Sequence, residues 1–200
     1  MVTSSSPADA PITSTVTSTV AVIGSARIEA PDPAWHEACA LGAALAEGGR
    51  QVMTGGYGGL MGAAARGAHG AGGHVIGLPM RAWTALTPSP WCTELRWSAD
   101  YAERLRHLLH ADAVVALPGG VGTLAEAAVV WSALQTEPGA ARLVLLGPRW
   151  HALRQAFATG LVIGPDDLAL APVAADVTQA VTLIDQALAS GPAVTPAPRG

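Results

Sequence analysis

Ala113-Val114-Val115-Ala116-Leu117-Pro118-Gly119-Gly120-Val121-Gly122-Thr123-Leu124-Ala125-Glu126 runs from an apolar segment through a glycine turn into helix-forming residues. The apolar run is rich in valine, is too short for a helix, and reads as an inner strand of a parallel sheet that Pro118 ends. The glycines at 119, 120 and 122 have no Cβ, which opens positive φ to them and lets backbone N–H groups approach a ligand. Thr123 reads as the start of the helix. The first N–H groups of a helix lack partners within it and, together with its dipole, favour a phosphate or carboxylate.

Two other readings fit the same residues. Thr123-x-x-Glu126 has the spacing of a capping box, in which threonine and glutamate each satisfy an N–H of the first turn. Gly120-x-Gly122-x-x-Ala125 has the spacing of a dinucleotide fingerprint, which would make the protein an NAD-dependent oxidoreductase. That fingerprint normally follows the first strand of a fold and has an acidic residue about 20 positions on, at a strand end; neither condition is met.

Working outward, strand and helix patterns alternate. Thr19 to Ile23 reads as a strand, Pro33 to Glu47 as a helix started by Asp32-Pro33 and stopped by Gly48-Gly49. Gln51 to Thr54 reads as a strand that enters a second glycine loop at 55–59 and a small-residue helix at 60–69. Its alanines and glycines suit close packing on the sheet or on the loop at 119–122. A strand follows at 74–78, a helix at 100–110, a helix at 123–134, a strand from Arg142 to Leu146, helices at 150–158 and 178–189, and a short segment at Val173. The expected fold is a single α/β domain, a doubly wound, Rossmann-like parallel sheet with helices on both faces and its ligand crevice between adjacent turns. The domain spans 19–191, and the Ser/Thr/Pro/Ala-rich ends at 1–18 and 192–200 read as disordered tails. Residues 79–97 break the pattern with three prolines and with Trp83, Trp91 and Trp97. This loop reads either as a wall against a flat base or as the cover of a subunit contact.

Composition removes several function classes. All eleven basic residues are arginine. Without lysine there is no Schiff base for pyridoxal phosphate and no Walker A contact to a nucleotide. A net charge of −4 argues against nucleic acid as a partner. No apolar run reaches membrane-spanning length, and no secretory signal is evident, so a cytoplasmic protein is expected. Two cysteines, Cys39 and Cys92, make no disulfide framework. His107 and His110 lie three apart on one helical face, but no third ligand is in register, and no metal is expected.

Pro118-Gly119-Gly120-x-Gly122-Thr123-x-x-Glu126 resembles the signature of the LOG family, the cytokinin riboside 5′-monophosphate phosphoribohydrolases. Gly55-Gly56-Tyr57-Gly58-Gly59-Leu60-Met61-Gly62 and Ala71-Gly72-Gly73-His74-Val75-Ile76-Gly77 are similar to that family's other glycine loop and the stretch after it. The resemblance implies cleavage of a nucleoside 5′-monophosphate to free base and ribose 5-phosphate, no cofactor, and a homodimer. It implies a substrate site made of Gly24, Ser25, Gly55, Gly56, Gly58, Met61, Gly119, Gly120, Gly122 and Thr123, with Glu126 catalytic. The family's catalytic arginine stands fifteen positions before the signature proline. This chain has Glu103 there, with Arg104 one residue later and Arg106 beyond: either one residue has been lost before Asp112, or Arg104 or Arg106 has taken over, or the arginine's role is gone, and of these Arg104 is the expectation.

The residues themselves say what Glu126 suits. A carboxylate near the positive end of a helix dipole is expected to stay ionised, fitted to offset an oxocarbenium-like sugar and orient water rather than to act as an acid. Related chains of this fold carry the molybdenum cofactor, a phosphorylated pterin, and that task needs the phosphate turn without the chemistry.

Overall fold

Valine- and alanine-rich strands with no polar side of their own must be covered on both faces, and the computed structural model, which describes residues 18–190, covers them with seven helices. In chain order the elements are β1 (Thr19–Ile23), α1 (Pro33–Glu47), β2 (Gln51–Thr54), α2 (Gly59–Gly70), β3 (Val75–Gly77), β4 (Glu94–Leu95), α3 (Tyr101–Leu109), β5 (Ala113–Ala116), α4 (Val121–Thr136), β6 (Arg142–Leu146), α5 (Pro148–Gly160), α6 (Pro165–Ala169), β7 (Val173–Ala174) and α7 (Val177–Ala189). The sheet order is β4-β3-β2-β1-β5-β6-β7, and every neighbouring pair is parallel.

Alternation along the strands sorts the core into two layers. Val20, Val22, Val52 and Val115 face α1, α2 and α7, where they meet Leu41, Leu45, Leu60 and Ile184. Ala21, Ile23, Met53, Val114 and Ala116 face the other way, toward Leu108 of α3, Val130 and Leu134 of α4 and Trp150 of α5. The order runs outward from β1 to β4 and then restarts at β5 on the other side of β1. The switch point, where ligands bind in open α/β sheets, therefore lies between the turns that leave β1 and β5.

Backbone hydrogen bonds draw three turns together there. The Ser25 N–H donates to Pro118 O at 3.0 Å, and the Leu60 N–H donates to Ser25 O at 2.8 Å. Gly24 allows this closure, since a Cβ on it would come within 2.9 Å of Leu117 Cβ.

The structure differs from the sequence reading in places. The small-residue helix α2 lies against α1: a Cβ on Gly67 would stand 1.8 Å from Cys39 O, and one on Gly42 would stand 1.9 Å from Ala64 O. The helix also packs on the sheet, as the sequence reading allowed, with Leu60, Ala63 and Ala64 in the layer that meets Val20 and Val52; the contact of Gly67 and Gly42 between α1 and α2 is what that reading did not name. The irregular stretch 79–97 contains β4, and Met80 and Ser98 form an isolated parallel bridge. Helix α6, five residues long, begins with Pro165 and accepts the Gly164 N–H on Asp167 Oδ2; the sequence reading passed it over. The tails expected at 1–18 and 192–200 lie outside the described residues, Ser18 excepted.

Candidate active site

Helix α3 is capped by Asp100, whose side chain accepts the Glu103 N–H, while Glu103 Oε2 accepts the Ala99 N–H. Glu103, which occupies the position of the family's arginine, is thus spent on starting the helix. Its neighbour Arg104 turns inward with Leu108, one turn further on; Arg106 is exposed. Arg104 is 4% exposed and Glu126 6%. The Arg104 Nε–H donates to Glu126 Oε1 at 3.3 Å, and its Nη1 donates to Gly55 O at 3.0 Å and to Leu78 O. One guanidinium therefore ties α4 to the carboxyl ends of β2 and β3. Gly55 leaves room for this, because a Cβ there would come within 2.6 Å of both Arg104 Nη2 and Met61 Sδ and would push one or both side chains aside.

Glu126 does not lie in a capping box. Helix α4 starts at Val121 with Gly120 as its cap residue, so Thr123 is the third helical residue and Glu126 sits in the second turn. Thr123 is buried, and a Cβ on Gly119 would stand 2.2 Å from its Oγ1: the threonine tucks beneath the turn instead of capping it. The expected ionisation also changes. Burial pushes the Glu126 carboxyl above the ordinary glutamate range, and the Arg104 charge and hydrogen bond pull against that rise. A carboxyl so placed is suited to exchanging a proton, not only to holding a fixed charge.

The two glycine loops divide in character. Gly56 and Gly59 have positive φ, +79° and +68°. The glycines at 119, 120 and 122 do not, against expectation; Gly120 is extended at φ −96°, ψ −159°. What these glycines leave is space, for a Cβ on Gly120 or Gly122 would meet nothing within 4 Å. No side chain caps α4, residues 119–122 are exposed, and the first helical bond runs from the Leu124 N–H to Gly120 O. The N–H groups of 121–123 thus precede the ladder. At α2 the equivalent place is filled: the Gly59 N–H donates to Glu29 Oε1 at 2.8 Å, with exposed Gly58 beside it. An incoming anion has an open helix start at α4 and a carboxylate in its way at α2.

Ser25 is half-buried at the switch point and its Oγ accepts the Arg27 N–H, while Arg27 itself is exposed. Met61 is buried behind Gly55. Three aromatic neighbours were not among the site residues read from the sequence, although Trp83 was named there as part of a possible wall against a flat base. Tyr57, already inside the quoted glycine motif, is buried and its hydroxyl accepts the Met80 N–H at 2.8 Å. Trp83 lies with its ring 5.6 Å from Arg104 Cζ. Tyr101, the first residue of α3, has its phenol pushed up by burial and then by the Glu126 charge, with the Arg104 charge pulling against that rise. Among the described residues there is no group of three metal-binding side chains, and no helix is long and apolar enough to cross a membrane.

A family model described as the SLOG cluster4 family matches residues 17–136. The cytokinin riboside 5′-monophosphate phosphoribohydrolase LOG3 of Arabidopsis thaliana is 38% identical over 87 residues, which is 42% of this chain and 40% of that protein. The probable cytokinin riboside 5′-monophosphate phosphoribohydrolase LOG4 of Oryza sativa subsp. japonica is 41% identical over 80 residues, 38% of this chain and 34% of its own length. The matched part is therefore well under half of these relatives. Among solved structures, the molybdenum cofactor carrier protein MCP of Chlamydomonas reinhardtii aligns with a TM-score of 0.71 at 28% identity, over 86% of this chain and 99% of that one. The molybdenum cofactor binding protein of Rippkaea orientalis aligns with a TM-score of 0.72 over 88% and 99%, at 21% identity, a likeness of fold.

Proposed function

Since this chain belongs to the SLOG cluster4 family, we propose that its site hydrolyses the N-glycosidic bond of a nucleoside 5′-monophosphate, of the AMP or cytokinin riboside monophosphate type. The observation that carries the reading is the buried Glu126–Arg104 pair, whose glutamate lies on the helix that has the open N-terminus while its arginine reaches over from α3. Residues 121–123 and Glu126 are three to five positions apart, about 4.5–7.5 Å of helical rise, which suits the reach from a 5′-phosphate to its anomeric carbon. The phosphate sits on the N–H groups of 121–123 and the sugar lies over Glu126. Water adds to C1′ as the C1′–N bond breaks and its electron pair goes to the base. Glu126 takes the proton released by the water, offsets the positive charge on the sugar, and passes the proton to the departing base. Arg104 fixes the carboxylate in place and favours its ionised form against the pull of burial.

Activity in this scheme needs the Glu126 carboxylate, so it is present above that group's pKa and lost as pH falls through it. Burial raises that pKa, and the acid limb of kcat/KM should lie above the ordinary glutamate range. Both contributions from Arg104 lower it, so Arg104→Ala should move the limb to still higher pH, with melting followed alongside. An acid limb that stays put in that variant contradicts the pairing.

Gly120→Val tests the phosphate seat. The backbone there is extended and an added Cβ meets nothing, so valine should fold at the modest cost of a poorer helix cap while crowding the ligand. KM for the monophosphate should rise about tenfold, the scale of one hydrogen bond to a charged group, with melting temperature only modestly lowered. An unchanged KM counts against this seat.

A second reading is a carrier of a phosphorylated ligand such as the molybdenum cofactor, supported by the 28% identity and near-complete coverage of the Chlamydomonas carrier. Mass spectrometry of the protein as purified separates the two: a retained pterin favours the carrier. A homodimer is proposed as well. The outer side of α4 lines an apolar cleft of about 330 Å³ with Leu124, Ala128, Trp131, Phe157 and Leu161, a face that a second copy would cover. The setting proposed is the cytoplasm.

A further inference from the structure

The tryptophans at 83, 91 and 97 do not share one task. Trp91 stacks with His69 and with the Arg66 guanidinium, which also lies over Trp35; it belongs to the surface of α1 and α2. Trp97, beyond β4, makes no ring contact with the site residues. Trp83 alone reaches the Glu126–Arg104 pair.

Its position is held from below. The Tyr57 hydroxyl accepts the Met80 N–H, the Arg81 N–H donates to Ser98 O, the Trp83 N–H donates to Met80 O, and the Leu86 N–H donates to Trp83 O. Its ring lies 5.7 Å from that of Tyr57, tilted by 37°, and 5.6 Å from Arg104 Cζ. The Arg104 cation and the Tyr57 ring thus fix the indole. Yet Trp83 remains 40% exposed, while the charged pair next to it is 4% and 6% exposed. Trp83 therefore keeps part of its side chain open to solvent beside a pair that is almost closed off.

We propose that Trp83 determines the specificity of this site, its open indole surface taking the planar heterocycle of the ligand while the phosphate rests at the start of α4. The inference builds on the nucleotide reading above and adds the residue that selects the base. The sugar phosphate and the heterocycle are then held by separate parts of the protein, so their contributions can be measured apart.

The test is isothermal titration of the Glu126→Gln chain, in which turnover is suppressed, with AMP and with ribose 5-phosphate. Trp83→Ala should weaken AMP about tenfold or more, the scale of losing one base–aromatic stack, and leave ribose 5-phosphate within about twofold. Trp83→Phe should recover most of the AMP affinity. Trp83→Leu, which keeps apolar bulk over Tyr57 and Arg104 without a π-face, should behave like alanine and serves if the alanine variant fails to fold. Equal weakening of both ligands would mean that Trp83 only props Arg104, and unchanged AMP affinity would remove it from the site; either overturns the proposal, as does a parent chain that binds no AMP. Base release by the unsubstituted chain is scored separately. Turnover with no Trp83 effect on AMP refutes the stacking alone, and AMP binding that depends on Trp83 without turnover refutes the hydrolysis alone.

Discussion

Glu126→Gln should fold like the parent chain, bind nucleoside monophosphate, and lose a factor of about 10² or more in kcat, the loss typical of removing a positioned electrostatic group. The substitution isolates charge and basicity. Glutamine keeps the length of the side chain, and its carbonyl oxygen can still accept the Arg104 Nε–H that Glu126 Oε1 accepts. It disturbs no cap, since α4 is capped by Gly120 without a side-chain bond. Burial already works against the charged form of Glu126, so the neutral amide adds no desolvation cost of its own; buried Arg104 loses its counter-charge, which should lower the melting temperature while its hydrogen bonds to the amide oxygen, Gly55 O and Leu78 O remain. Circular dichroism and melting check the fold, titration checks binding, and free-base release checks kcat. A kcat near the parent value would remove Glu126 from the chemistry and leave it as the partner that steadies Arg104.

The largest effect on stability is expected at the contact between α1 and α2. Gly67 and Gly42 face the opposite helix so closely that any Cβ would overlap backbone atoms, Cys39 O at 1.8 Å and Ala64 O at 1.9 Å. Backbone cannot yield as a side chain does, so the helices must separate. Gly67→Ala should cost about 3 kcal/mol, the upper part of the range for overpacking, and lower the melting temperature by roughly 6–12 °C in a chain of this size. Gly70→Ala, at the end of the same helix with nothing within 4 Å of an added Cβ, should be neutral or slightly stabilising because alanine favours the helix. Similar losses in both would show that glycine in α2 matters for a reason other than this contact.

Strands such as Thr19–Ile23, Gln51–Thr54 and Arg142–Leu146 were legible to the residue, because short apolar runs between glycine and proline signals leave few alternatives. The start of α4 was not. Thr123-x-x-Glu126 carries the spacing of a capping box, but the space left by Gly119 draws Thr123 inward and the helix begins two residues earlier. That error concealed the burial of Glu126, and with it the direction of its pKa. Arg104 shows the reverse: the family's spacing falls on Glu103, one residue away, whereas helical periodicity with Leu108 places Arg104 inward and Arg106 outward. Trp83 could not have been singled out from Trp91 and Trp97, since only the three-dimensional path of the loop separates them.

The central claim is that a phosphate at the start of α4 positions a glycosidic bond over Glu126. It is tested most directly by incubating the purified chain with a panel of nucleoside 5′-monophosphates and the matching nucleosides, and measuring free base and ribose 5-phosphate by chromatography. The account predicts base and ribose 5-phosphate in equal amounts from at least one monophosphate, and none from its nucleoside. Equal cleavage of AMP and adenosine, or no free base from any monophosphate, would contradict it.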